Sequence, residues 1–239
     1  MSIMNQAEVK LQRDHFDTSR FQYDQHLIVQ PPPHTVLEIG AVLRHLARLG
    51  LQPGDTVIDF GAGTGRLTIP LLQHGFRVMA VDISRKSLDA LDKLTQQLAL
   101  KGLTLSEQLP AKASARAIIG ADVLHHVEMD EILPQLKHAL APDGHLIFSE
   151  PGALNPAWYL FVALNLDWKV EKRIVNGNIL TLEHVFKRNG FTHVDIEGLG
   201  LLPRPIFNRW PRVLAFNEQL GNVPGLRWFA YRYIVDATH

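Results

Sequence analysis

Residues 57–65 read Val-Ile-Asp-Phe-Gly-Ala-Gly-Thr-Gly, an apolar run that ends in an acid and then meets glycine at every second position. Residues without a Cβ let the backbone turn sharply and let a ligand come close. A strand running into such a turn, with a helix behind it, opens a βα unit whose ligand sits at the strand's carboxyl end. The next apolar strand, Val78-Met79-Ala80-Val81, ends in Asp82. An acid about 20 positions beyond the glycines is placed to accept hydrogen bonds from ribose hydroxyls. Asp59, just ahead of the glycines, would repel a pyrophosphate but pair with a cationic amino group. A cation-binding acid and a ribose-binding acid together describe a nucleoside carrying an amino acid, not a dinucleotide.

The chain continues the alternation that this unit starts. Strands are expected over Thr56–Phe60, Phe76–Val81, Leu103–Glu107, Arg116–Ala121 and His145–Ser149, the last after a Pro142-Asp143-Gly144 turn. Helices are expected over Arg66–His74, where Pro70 should kink or shorten the run, and over Glu128–Leu140. A further helix is capped by Ser84, with Leu88, Leu91, Leu94 and Leu98 on one face. Short apolar strands alternating with helices imply a parallel sheet covered on both faces. Ahead of it, Pro31–Pro33 breaks the chain, and Val36, Ile39, Leu43 and Leu46 recur at helical spacing until Gly50. The tail adds a helix at Thr181–Arg188 and strands at Phe191–Glu197 and Trp228–Val235. This divides the chain into a helical N-terminal arm or lid (1–50) and a ligand-binding domain (51–239), with substrate-side insertions at 151–180 and 199–227.

Composition removes several function classes. Lys+Arg and Asp+Glu both number 24, giving a formal net charge of zero, so the basic excess usual in nucleic-acid binders is missing. There is no cysteine, hence no disulfide and no thiolate metal site, and no His-x-x-x-His spacing lies near the histidines, so no metal is expected. Met1–Asp24 is polar and carries no secretory core. No stretch approaches the roughly 18 apolar residues of a membrane span. The expectation is a cytoplasmic, soluble monomer or homodimer.

Asp59–Gly65 resembles the first motif of class I S-adenosylmethionine (SAM)-dependent methyltransferases, of the small-molecule type. Val78–Ser84 is similar to that family's second-strand motif, and Ala121-Asp122-Val123-Leu124-His125-His126-Val127 to its segment after strand four. Ala141–Glu150 is similar to its approach to strand five. The resemblance covers about residues 50–200. It implies a Rossmann-like, seven-stranded, mostly parallel sheet whose last strand, here Trp228–Val235, is antiparallel. It also implies SAM as cofactor, S-adenosylhomocysteine as product, and cofactor contacts from Tyr23, Asp59, Gly61, Ala62, Gly63, Gly65, Asp82, Ile83, Ala121 and Asp122. The family's usual acid near the start of strand four is replaced by Arg116, and Asp122 serves either the cofactor or the turn after strand four.

For the acceptor side, His126 is the candidate base, with His125 as a packed neighbour or a second candidate. Glu150, at the end of strand five, either orients an acceptor or pairs structurally. Ala157–Leu164, holding Trp158 and Tyr159, is apolar all round and reads as a water-excluding substrate wall or as core. Arg204, Arg209 and Arg212 lie among aromatics in the last insertion and fit an anionic ligand or a solvated rim. The expected activity is methyl transfer to a small-molecule or lipid-like acceptor. A non-catalytic SAM-binding protein and a nicotinamide-dependent oxidoreductase are the alternatives.

Overall fold

The structure is a computed structural model that describes residues 25–110, 115–165, 172–212 and 214–239. Tyr23 lies outside the described residues. Seven strands form one sheet: β1 (Thr56–Phe60), β2 (Arg77–Val81), β3 (Leu103–Ser106), β4 (Ala115–Ala121), β5 (Leu140–Pro151), β6 (His193–Leu199) and β7 (Arg232–Thr238). Their order is β3-β2-β1-β4-β5-β7-β6. The pairs from β3 through β5 are parallel, whereas β7 runs antiparallel to both β5 and β6. The fold is therefore the Rossmann-like seven-stranded arrangement that the resemblance implies, with an antiparallel last strand in sequence.

Alternation along the strands sends apolar side chains to both faces, because each face is covered. On one face Val57, Val78, Ala117, Ile119, Ile147 and Ile234 pack with Ile39, Val42, Leu46, Leu67, Leu71 and Leu72. The helices there are α2 (Pro33–Arg48) and α3 (Thr68–Gln73), while α1 (Gln25–Val29) is a single short turn. On the other face Ile58, Ile118, Leu146, Phe148, Tyr233 and Val235 meet Ile132, Leu133 and Leu136 of α5 (Met129–Ala139) and Leu182 and Phe186 of α7 (Ile179–Arg188). Between them comes α4 (Arg85–Gln97), whose Leu88, Leu91 and Leu94 bury against Ile69 and Ala80. Ser84 caps α4 by accepting from the Ser87 N–H at 3.1 Å, as its position suggests. Helix α2 is thus a layer of the domain core.

Several boundaries differ from the sequence expectation, three of them for a clear local reason. Helix α3 starts at Thr68 and not at Arg66, which puts Pro70 in the first turn, where its missing N–H costs nothing. Strand β5 begins at Leu140 and runs through Ala141–Gly144 with a register shift opposite Ala115–Ala117; Asp143 takes φ 58° there. Strand β7 starts four residues later than Trp228 and reaches Thr238. Gly225, at φ 84°, turns the chain into a 3-10 segment over Leu226–Phe229, so Trp228 and Phe229 precede the strand. Its far half holds Asp236, a polar residue that period-two reading discounts but that two histidines satisfy.

Candidate active site

The strand order reverses between β1 and β4, and in open α/β sheets the crevice at that switch is where ligands bind. Both strands end there in loops that touch: a Cβ placed on Gly61 would come within 2.5 Å of Val123 in the loop after β4. Gly65 is equally enclosed, since its Cβ would meet Leu91 at 2.5 Å. Gly63 differs. At φ 51° it has no atom within 4 Å of where a Cβ would stand, so this turn presents bare backbone to open space. Ala62 is buried beneath it.

Asp82 fixes the turn from the side. One carboxylate oxygen accepts from the Gly63 N–H at 2.7 Å, and the other from the Ser84 N–H at 2.8 Å. Both oxygens are thereby held in place at the end of β2. Asp59 sits lower, buried under the turn, and accepts from the Thr68 hydroxyl at 2.6 Å. Burial pushes its carboxyl up to about 6. Ile83, just beyond β2, and Ala121, at the end of β4, are both half-buried.

The loop after β4 hangs on Glu150 of β5. One of its oxygens accepts from the Val123 and Leu124 N–H groups at 2.9 and 2.8 Å, and the other lies 2.7 Å from His125 Nδ1. Both oxygens of Glu150 are therefore engaged with the loop. The His126 ring packs 4.0 Å from that of His125 and is half-buried. On the outer side of the loop, a cavity of about 620 Å³ lies between residues 124–130 and α7, lined by His125, Arg173, His184 and Arg188 among others. None of the glycine-turn residues borders it, which separates it from the β1/β4 crevice.

Asp122 takes φ 55° and belongs to a network that sequence alone did not reveal. Arg66 donates to Asp122 at 2.6 Å and to Glu38 of α2 at 3.1 Å. Arg232, at the first position of β7, donates to the other Asp122 oxygen at 2.7 Å and to the Ser149 carbonyl and hydroxyl at 2.8 and 2.9 Å. Glu38 also takes the Ser149 hydroxyl, and its Oε1 lies 3.0 Å from Arg232. The surrounding arginines hold the Asp122 carboxyl well below its usual range against the burial that would raise it. The partners are 28 to 194 positions apart, on α2, β5, β7 and the loops after β1 and β4, so no local motif announces them.

Trp158 lies on α6 (Pro156–Asn165). It is buried, stacks on Tyr231 at 4.6 Å and donates its indole N–H to the Tyr231 carbonyl. Tyr159, Leu160 and Leu164 on the same helix are exposed. Among the described residues no group of His, Cys, Asp and Glu has metal-site geometry, and no helix is long and apolar enough to cross a membrane.

Comparison with known proteins then decides the family. The sequence profile of the methyltransferase-domain family matches residues 30–196. The chain belongs to that family. An uncharacterized methyltransferase of Mycobacterium tuberculosis is 38% identical over 92 residues, 38% of this chain and 37% of that protein. The chain thus matches little more than a third of the length of such curated relatives. Magnesium protoporphyrin IX methyltransferase of Synechocystis, solved with bound SAM, superposes with a TM-score of 0.60 at 22% identity over 96% of both chains. A possible histamine N-methyltransferase of Thermotoga maritima reaches 0.63 at 16% identity, covering 95% of this chain and 98% of that one. At these identities the methyltransferases of known structure share the fold.

Proposed function

We propose that this methyltransferase moves a methyl group from SAM to a small-molecule or lipid-like acceptor. The observation that carries the reading is the pairing of Gly63 with Asp82: bare backbone facing open space, with a carboxylate fixed beside it at the end of β2. A nucleoside fits that pair, with its ribose hydroxyls on Asp82 and its close approach along Gly61–Gly65. The half-buried Ile83 and Ala121 flank the same crevice, and Asp122 follows Ala121 at the end of β4. When bound, SAM supplies a methyl group on a positively charged sulfur, open to in-line displacement.

The protein's part is alignment and exclusion of water. Holding two reactants in line is worth up to about 7–11 kcal/mol, so a site without a strong base is chemically sufficient. In this reading His126, in the loop that Glu150 and His125 hold against β5, takes a proton from an acceptor hydroxyl or amine. Such help adds about 10²–10⁴-fold where the acceptor must lose one. Glu150, with both oxygens bound to the loop, acts as a positioning residue for His126. Trp158 supports the acceptor side from below, and Tyr159, exposed on the same helix, is the member of the pair that meets the acceptor.

Calorimetry with S-adenosylhomocysteine tests the reading. Binding is expected, and Asp82→Ala should weaken it 10-fold or more, since each hydrogen bond to a charged acceptor is worth about 1.5–3 kcal/mol. Binding of NADH in place of S-adenosylhomocysteine would overturn the proposal.

A further inference from the structure

Exposed apolar side chains are gathered at one edge of the molecule. Of the fifteen large ones among the described residues, three lie on residues 25–36, four on 154–164 and six on 206–229; the other two are Val175 and Leu180. Helices α3, α4 and α5 expose none of them. Exposed leucines scattered singly are ordinary, but apolar residues grouped in this way mark an interaction surface.

The sheet explains the grouping. Segment 152–165 leaves the carboxyl end of β5, and segment 200–231 joins the end of β6 to the start of β7, where Arg232 pairs with both Pro151 and Leu199. Asn155 ties the two segments together, its side-chain N–H groups donating to the Leu201 and Phe229 carbonyls at 2.9 and 2.8 Å. The first turn of α2 joins them through the His34 N–H, which donates at 3.0 Å to Asn208 of α8 (Arg204–Arg209). The β1/β4 crevice opens at the same edge, since Ala121 at the end of β4 pairs with Ser149 near the end of β5.

Helix α6 carries no charged residue. Trp158 and Val162, one turn apart, are buried, whereas Leu160 and Leu164 on the opposite side are 63% and 72% exposed. Beside it, Ile206, Trp210, Phe216 and Phe229 are exposed together with Arg209, Arg212 and Arg227. Segments 25–37, 152–165 and 200–231 contain one acid between them, Glu218, and it is bonded to Arg44 of α2. The edge is thus apolar and basic at once.

We infer that this edge docks on an anionic lipid bilayer. Its leucines and aromatic rings enter the boundary between headgroups and acyl chains, while the arginines meet lipid phosphates at the surface. A second copy of the chain does not suit the edge, because a two-fold contact would set its arginines against one another with no acid to receive them. Nucleic acid offers phosphates but no apolar layer for Leu160 and Leu164. Docking goes beyond methyl transfer and stands without it, and it turns the mouth of the crevice toward the lipid.

Flotation of the full chain with phosphatidylcholine vesicles, with and without equimolar phosphatidylglycerol, tests the inference. The anionic vesicles should be bound 10-fold or more tightly, since each arginine at such a surface contributes about fivefold, and high salt should shrink the difference. Leu160→Glu combined with Leu164→Glu should cut binding 10-fold or more, with S-adenosylhomocysteine affinity kept within twofold because both side chains are exposed. Trp210→Ser, in a separate segment, should weaken binding as well and guards against a folding defect in α6. Equal binding to both kinds of vesicle, or to neither, overturns the inference. So does anionic-vesicle binding that all these substitutions leave untouched, which would reduce the contact to plain electrostatics. A dimer that the same substitutions dissociate, with no vesicle binding, would assign the edge to a second copy. Failure of the wild-type chain to bind S-adenosylhomocysteine would strike the proposed function alone.

Discussion

Two glycines two positions apart in one turn have different jobs. Gly65 is a packing residue, because a Cβ there would drive into Leu91 at 2.5 Å and Ile69 at 3.1 Å. Gly63 faces open space, and only its left-handed φ of 51° resists a side chain, at a cost of roughly 1–2 kcal/mol. Gly63→Ala is therefore expected to stay folded, with Tm lowered by about 2–8 °C, but to lose S-adenosylhomocysteine binding by 10-fold or more. Gly65→Ala should cost about 2–4 kcal/mol through overpacking added to backbone strain. Thermal melts with parallel calorimetry separate the two. If Gly63→Ala binds like the wild type, the turn is structural and the cofactor lies elsewhere. At this scale the sequence was legible where contacts are local. The glycines, Asp82 and Ser84 all lie within two successive βα units, whereas Glu38 and Arg232, 194 positions apart, meet only through the sheet.

Buried strands in the middle of the sheet were easy to read because both of their faces are apolar. At the end of the chain that signal fails. Trp228 and Phe229 look like strand residues yet occupy a 3-10 turn, and Asp236 looks like loop yet sits within β7. Elements also hide how they are held. The segment Val123–Val127 resembles a motif of its own, but its conformation depends on Glu150, more than 20 residues away and on another strand. Glu150→Ala would strand two buried N–H groups and the His125 ring, at about 1–3 kcal/mol for each unsatisfied group. Urea denaturation should show a loss of about 2–5 kcal/mol, with methyl transfer reduced alongside. Glu150→Gln keeps an oxygen for the two N–H groups and should recover most of the stability. A Gln variant as unstable as the Ala variant would show that the His125 contact, and not the loop, dominates.

Across the whole molecule, one buried histidine ties the first helix layer to the last two strands. His45 of α2 reaches Asp236 of β7 at 2.8 Å and Glu197 of β6 at 3.2 Å. Asp236 also takes His145 of β5 at 2.6 Å, while Arg44 and Arg48 flank Glu197. Burial opposes a charged ring, but the two carboxylates prevail and raise the His45 pKa from 6.5 to about 9. A histidine whose folded pKa lies above its unfolded one gives stability that is full below about pH 6.5 and is lost as pH rises through 9. The shift corresponds to about 3 kcal/mol, or about 6–12 °C in Tm for a chain of this size. Asp236 and Glu197 are shifted down by the same contacts, so the acid side of the profile loses the link when they take up protons. Asp59, raised to about 6, has the sign of His45 and not of the two lowered acids, removing stability as pH climbs from 3.8 to 6, below the His45 window. Melting curves from pH 6 to 9.5 should therefore fall steeply for the wild type and stay nearly flat for His45→Gln, with the two converging at the alkaline end. Parallel curves, offset by a constant amount, would mean that His45 contributes by packing and not by its charge.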